Sequence, residues 1–507
     1  VHLKKSFAIT FSAQLYSTVV TLIVTPLLIS FVGAEGFGLI GFYLILQTWL
    51  QILDAGISGT LSRQVALSKH CSSSFQSFLT SFYKIYLIFA FIALVLLILG
   101  FTFATTFSLH WFKTNLQLEL VSYCVLSMAI TLSFKYLSGP LRSGLIGLEC
   151  HILLGLFNFF YTTLRYPAGL GILYIYDSSL KAYFTYQAFI AVLEWCTLQA
   201  LFYLKSRHAI KIATESSSPT QSSIKSLLLL SVQLSVLSIL WVVVSQIDKL
   251  ILSGALNLKQ FGYYSLAVTV TGVMFTLNIP LNQVLMPRLT ALMANKNNAK
   301  YVTILIKSVL FSILTFIPLG IFLVVFGTEL VWAWTGNEEA AQEASRYISW
   351  LAIGNIAVIF MNFAFLLQFT LKNLKKHLIA YALYSAILIP LIFPVIDYYQ
   401  GEGAAIFWMC HNIIFFILWG GYTFKKYLRN FVNLIFIPAL ITTSIFSTIV
   451  LTNLEYFVSL YSNQRGLTFL SLSFTGISCV GLLLLAALIL RQPINSTIKK
   501  VSLITEK

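Results

Sequence analysis

YKIYLIFAFIALVLLILGFTFATT, residues 83–106, decides the fold class. Lys84 is its one charged residue, and the run is long enough to carry an α-helix across the roughly 20-residue thickness of a bilayer's hydrocarbon core. A helix lying on a soluble core would show a polar stripe every three to four residues, and this stretch has none. Working outward, comparable runs recur near 7–32, 37–61, 119–138, 152–176 and 183–204. A second set falls near 227–253, 261–286, 302–326, 346–371, 378–397 and 403–424, followed by 431–452 and 467–490. The reading is an all-α, polytopic integral membrane protein of about fourteen transmembrane helices.

Composition agrees. Of 507 residues, 58% are hydrophobic and 9% are charged, against about 25% charged in a soluble protein. That is too little charge to hydrate a surface of this size, so lipid is the expected solvent. The net charge of +16 does not point to nucleic acid, because Lys and Arg sit singly or in small groups between apolar runs, as helix-end anchors facing lipid headgroups do. Placing the N-terminus in the cytoplasm and alternating puts about 23 Lys and Arg on the cytoplasmic side, among them Lys4, Lys5, Arg63, Arg142, Arg288 and Lys375. Five fall opposite: Lys113, Lys181, Lys259, Arg346 and Arg465. This asymmetry predicts a multi-pass membrane protein with both termini cytoplasmic; the resemblance described below implies a bacterial inner membrane. No A-x-A-like cleavage site follows the first run, so it is expected to be retained as a helix. The six cysteines show no metal-binding spacing and are expected to be free thiols.

The loops are short. The longest, 205–226, is polar and rich in Ser, and it separates an N-terminal six-helix lobe (1–204) from a second (227–424); two additional helices and a cytoplasmic tail occupy 425–507. The halves repeat. Phe37-Gly38 opens the second span and Phe261-Gly262 the eighth, while Arg63 and Arg288 close the same two spans. Both pairs join helices of one orientation, which is a parallel repeat with its pseudo-two-fold along the membrane normal.

Enzyme signatures are absent: there is no GxxxxGK[ST], HExxH, DxD or G-x-S-x-G, and the histidines are isolated. No catalytic residue, metal or cofactor is expected. What remains is charge inside apolar spans, costly enough that its default reading is functional. Asp54, Arg165 and Glu194 are the deepest, with Pro167, Gly169 and Gly171 marking a kink just beyond Arg165. Lys135, Arg63, Arg142, Arg288 and Lys307 lie near helix ends, where snorkelling competes with function. Asp248 and Lys249 are neighbours in sequence, so they are expected to point apart and pair with other helices, if at all. Arg165, Arg63, Lys249, Arg288 and Lys135 are therefore the candidates for binding an anionic substrate, and Asp54, Asp248 and Glu194 for ion coupling or structural pairing.

Five stretches carry a resemblance: FVGAEGFGLIGFYLILQTWLQILDAGISGTLSRQVA (31–66), RSGLIGLECHILLGLFN (142–158), QIDKLILSGALNLKQFGYYSLA (246–267), PLNQVLMPRLTAL (280–292) and GEGAAIFWMCHN (401–412). With these the chain resembles the polysaccharide-export branch of the multidrug/oligosaccharidyl-lipid/polysaccharide (MOP) exporter superfamily, the Wzx-type flippases of O-antigen and related lipid-linked oligosaccharides. It departs from that pattern at LLQFTLKNLKKH (366–377), where a glycine is expected shortly after Gln368. The resemblance implies two MATE-like lobes plus two helices, alternating access, and a cationic cavity for an undecaprenyl-pyrophosphate-linked glycan. It also implies coupling to an H+ or Na+ gradient, and as partners membrane lipids, a polysaccharide polymerase and a chain-length regulator. Two competing readings stand beside it. A drug or cation antiporter of the same superfamily would favour an acidic cavity. A membrane-embedded polymerase or glycosyltransferase would need a larger outward loop than 327–345, whose Glu338, Glu339 and Glu343 read as a solvated face.

Overall fold

The computed structural model describes residues 2–54, 57–68, 72–212, 224–460, 464–489 and 501–503, with some side chains inside these helices excepted. Fifteen α-helices occupy nearly all of it: α1 His2–Asp54, α2 Ile57–Ser68, α3 Ser72–Trp111, α4 Leu118–Gly147, α5 His151–Arg165, α6 Pro167–Ile175, α7 Leu180–Ile212 and α8 Ile224–Ala255. Then come α9 Leu258–Ala294, α10 Asn298–Thr335, α11 Glu338–Thr370, α12 Leu374–Phe415, α13 Gly421–Tyr427, α14 Ile437–Ser459 and α15 Arg465–Ile489. Two π-helical turns, Phe416–Gly420 and Val432–Phe436, flank α13.

Among the described residues, 11 helical stretches are long and apolar enough to cross a membrane. Two of them hold two expected spans each. The first reverses at Gly33, whose φ of 70° suits a residue without a Cβ, and α12 with its π-helical extension breaks at Gln400. With α5 and α6 as one broken span, the fold accounts for about fourteen crossings, as the hydropathy pattern predicts. The bundle wears its apolar side chains outward: Leu87, Phe91 and Phe101 on α3 are each about two-thirds exposed, a surface that only lipid solvates.

Asp54 is the last described residue of α1 and α2 starts at Ile57; residues 55 and 56, within the second expected span, lie outside the described residues.

By packing, the chain forms two compact units, Val1–Gly262 and Tyr263–Lys507. In the first, α4 lies between α3 and α7, over a core that includes Phe75, Phe82, Leu141, Leu154 and Phe202. Helix α8 packs on α1 and so joins this unit; α7 runs on through the start of the expected 205–226 linker to Ile212, and residues 213–223 lie outside the described residues. In the second, α11 lies between α10 and α12, with Tyr301, Ile306, Phe360, Phe424 and Phe436 in its core. The two additional helices α14 and α15 dock on α10 through Phe326, Leu451, Leu472 and Cys479. A short antiparallel clasp, β1 Leu428–Arg429 with β2 Ser502–Leu503, ties the tail to the segment before α14, and Val501 is buried beside it.

The turn after Gln368 shows what the missing glycine does. Lys372 holds φ 60°, Asn373 N donates to Gln368 O at 2.8 Å and Lys372 N to Phe369 O at 3.1 Å. This is a Schellman-type helix ending in which lysine occupies the left-handed position that favours glycine.

Candidate functional site

A cation cluster in the first unit

Arg165 is the last residue of α5, and Pro167 begins α6. Proline has no N–H to give the preceding turn, so this junction frees backbone carbonyls that must find other partners in the bilayer. Helix α7 supplies them: Tyr186 Oη donates to Leu164 O at 2.8 Å and Gln187 Nε2 to Arg165 O at 3.0 Å. The break therefore fixes Arg165 against α7.

Glu194 on α7 receives two guanidinium groups. Arg165 Nη2 lies 2.5 Å from its Oε2, and Arg142 Nη2 lies 2.6 Å from its Oε1. Arg142 also donates through Nη1 to Asn158 Oδ1 at 2.7 Å and stacks its guanidinium 5.1 Å from the centre of the Phe157 ring. The carboxylate is 8% exposed and Arg165 14%, while Arg142 is 31% exposed. Lys135 completes the group, its ammonium 5.8 Å from the centre of the Tyr43 ring. Two guanidinium groups hold one carboxylate, leaving a formal excess of one positive charge, with Lys135 within electrostatic reach. Arg165 Nε is buried and makes no hydrogen bond among the described residues, so the cluster holds an unused donor as well as unspent charge.

Three predicted residues, Arg165, Lys135 and Glu194, thus converge. Arg142 was expected to end a helix and snorkel. Instead α4 runs through Pro140 to Gly147, and Arg142 turns into the unit to meet Glu194. Tyr43 did not stand out as a site residue in sequence, since it is uncharged.

The remaining candidates have other surroundings where they are described. Asp248 and Lys249 do contact each other, contrary to the expectation for adjacent helical residues. The long lysine side chain folds back toward the helix N-terminus, where Nζ donates to Ser245 O at 2.7 Å and reaches Asp248 Oδ1 at 3.1 Å. Both are buried, and a buried charge with a partner within reach of its rotamers takes it. Asp54 is half-buried at the end of α1, next to Leu53, whose carbonyl accepts from Tyr136 Oη at 3.1 Å. Arg288 lies on α9 in the second unit and is exposed. Arg63 belongs to α2, but its side chain is outside the described residues. Among the described residues no group of three or more His, Cys, Asp or Glu side chains is placed to hold a metal ion.

Relatives and family

The profile of the family described as polysaccharide biosynthesis protein matches residues 3–293, and no curated protein matches. Several solved structures share the fold. The lipid II flippase MurJ in an inward closed conformation superposes with a TM-score of 0.67 at 15% identity, covering 96% of this chain and 99% of its own. An inward-facing multidrug resistance MATE transporter of the MOP superfamily gives 0.63 at 11% identity, covering 82% and 98%. A MOP superfamily transporter from Pyrococcus furiosus, described as having a binding pocket of reversed polarity, gives 0.51 at 11%, covering 82% and 96%. With more than half of its length matched by the family profile and its whole architecture shared with these transporters, the chain belongs to the polysaccharide biosynthesis protein family and carries the MOP-superfamily fold.

Proposed function

We propose that this protein is a flippase for a lipid-linked oligosaccharide, an O-antigen or similar surface-polysaccharide repeat unit carried on undecaprenyl pyrophosphate. The observation that carries the proposal is the Arg142–Glu194–Arg165 cluster with Lys135. A diphosphate diester brings two negative charges, which suit the cluster's cationic excess, and guanidinium forks suit phosphate oxygens. The family supplies the glycan context. The extent of the likeness supports a lipid-borne cargo: MurJ, described as a lipid II flippase, covers 96% of this chain, whereas the MATE transporter covers 82%.

In this reading the glycan and its diphosphate cross between the lobes while the lipid tail stays in the membrane, and the lobes rock about their internal pseudo-two-fold. Transport would run across the inner membrane from the cytoplasmic leaflet, with both termini cytoplasmic, and deliver the unit to a polymerase and its chain-length regulator. A cation gradient, H+ or Na+, is the proposed drive, with Asp54 as the proposed carboxylate to take the ion, while Glu194 and Asp248 serve structural pairing. A drug or cation antiporter would call for an acidic site, and the cluster has the opposite sign. A glycosyltransferase would need a sugar-transfer carboxylate pair, and Glu194 is occupied by two arginines.

The test is a deletion strain complemented with Arg165→Glu. Loss of surface glycan, with undegraded protein and lipid-linked units accumulating on the cytoplasmic leaflet, is expected. Full export by this variant would sink the cluster's role, and normal export in the deletion strain itself would sink the function.

A further inference from the structure

The two Phe-Gly pairs that mark the internal repeat meet in space, and they meet through their backbones. A Cβ on Gly38 would overlap the carbonyl oxygen of Leu258, and a Cβ on Gly262 would overlap that of Ala34 and lie 3.3 Å from Gly38 N. Leu258 precedes Gly262 by one helical turn, and Ala34 precedes Gly38 by one. Each glycine therefore receives the carbonyl one turn ahead of the other, a reciprocal contact that places the repeat's pseudo-two-fold between them. A second set of bonds closes the same seam. Leu258 N donates to Lys113 O at 2.8 Å, Lys113 Nζ to Ala255 O at 2.9 Å, and Trp111 Nε1 to Ser253 Oγ at 3.0 Å. Trp111 also lies against Gly254. These strands of contact join the α1 bend and the α3–α4 connection, from the first repeat, to the α8–α9 connection, from the second. All of it lies at the end of the bundle where the charge pattern leaves few cations, Lys113, Lys181 and Lys259 among them.

We propose that this seam is the gate on the cation-poor side, held shut by the Gly38–Gly262 interlock and latched by Lys113 and Trp111. The proposal rests on the alternating-access reading above, but it concerns closure and not cargo. Close-packed backbones make a tight seal with little side-chain rearrangement, so opening needs only a rigid separation of the two connections. A single methyl at either glycine removes that fit from both sides of the axis at once.

The experiment uses the full chain with its native cysteines replaced and one reporter, Ser253→Cys, a position that is fully buried in the closed seam. Its reaction with a membrane-impermeant maleimide is followed in intact cells with permeabilised outer membranes. Gly38→Ala and Gly262→Ala are each expected to raise the labelling rate by about ten- to a hundredfold, and by similar factors because the contact is symmetric. Lys113→Ala, which leaves the packing intact, is expected to raise it less; it carries the test if either alanine variant fails to accumulate. Unchanged labelling in the variants that accumulate overturns the gate. The labelling needs no substrate, so a wrong cargo would show as normal surface glycan in the deletion strain while the labelling shifts remain.

Discussion

Glu194→Gln keeps the size of the side chain and one acceptor oxygen but removes the charge that Arg142 and Arg165 share. Two unit charges about 4 Å apart interact by about 4 kcal/mol at an effective dielectric constant near 20, and Glu194 has two such partners with Lys135 beyond them. Desolvation offsets much of this in the intact cluster, but breaking a buried pair from one side leaves the desolvation unanswered, at about 3–5 kcal/mol. Glu194→Gln leaves both arginines without a counter-charge. Arg165→Gln leaves Glu194 still bound by Arg142, and Arg142→Gln removes the most exposed member. The expected order of destabilisation is therefore Glu194→Gln, then Arg165→Gln, then Arg142→Gln. The double variant Arg165→Gln/Glu194→Gln should be less destabilised than the sum of its parts by about 2 kcal/mol. Equilibrium unfolding of purified protein in mixed micelles measures all four. If the double variant is additive, or if Glu194→Gln is as stable as the parent, the cluster is not an electrostatic unit and the reasoning fails.

Two further outcomes follow from single contacts. Lys372→Gly relieves a lysine at φ 60° and should stabilise the second unit by about 1 kcal/mol, read in the same unfolding assay; a loss of stability would mean that the lysine side chain contributes more than its backbone costs. Arg465 donates to Ala333 O at 2.9 Å and to Trp334 O at 2.6 Å at the end of α10, so Arg465→Ala should cost about 1.5–3 kcal/mol and raise amide exchange in 331–336 and at the start of α15, whereas unchanged exchange there would argue against the anchoring.

The spans were legible because hydropathy is a one-dimensional signal: the run at 83–106 needs no partner to be recognised. The Phe37-Gly38 and Phe261-Gly262 pairs were visible for the same reason. Pairing was not. Arg142 and Glu194 are 52 residues apart, and nothing in the local sequence of either names the other. Arg142 was also masked by Pro140, which reads as a helix end yet is absorbed within α4. The Asp248–Lys249 contact escaped a rule about helix faces because lysine is long enough to reach around its own backbone. By contrast, the break beside Arg165 was visible, since Pro167 acts locally.

The charge cluster has a consequence for how the chain is made. Glu194 follows Arg165 by 29 residues and Arg142 by 52, so both arginines leave the ribosome before their counter-ion exists. At about 5–20 residues per second the wait for Glu194 after Arg142 is roughly 3–10 s. During those seconds α4 and α5 carry uncompensated cations, which the insertion machinery must shelter in a wet site. Arrival of α7 then releases both helices to the lipid together, and a codon change that stalls synthesis between 165 and 194 would lengthen the most vulnerable moment in the protein's assembly.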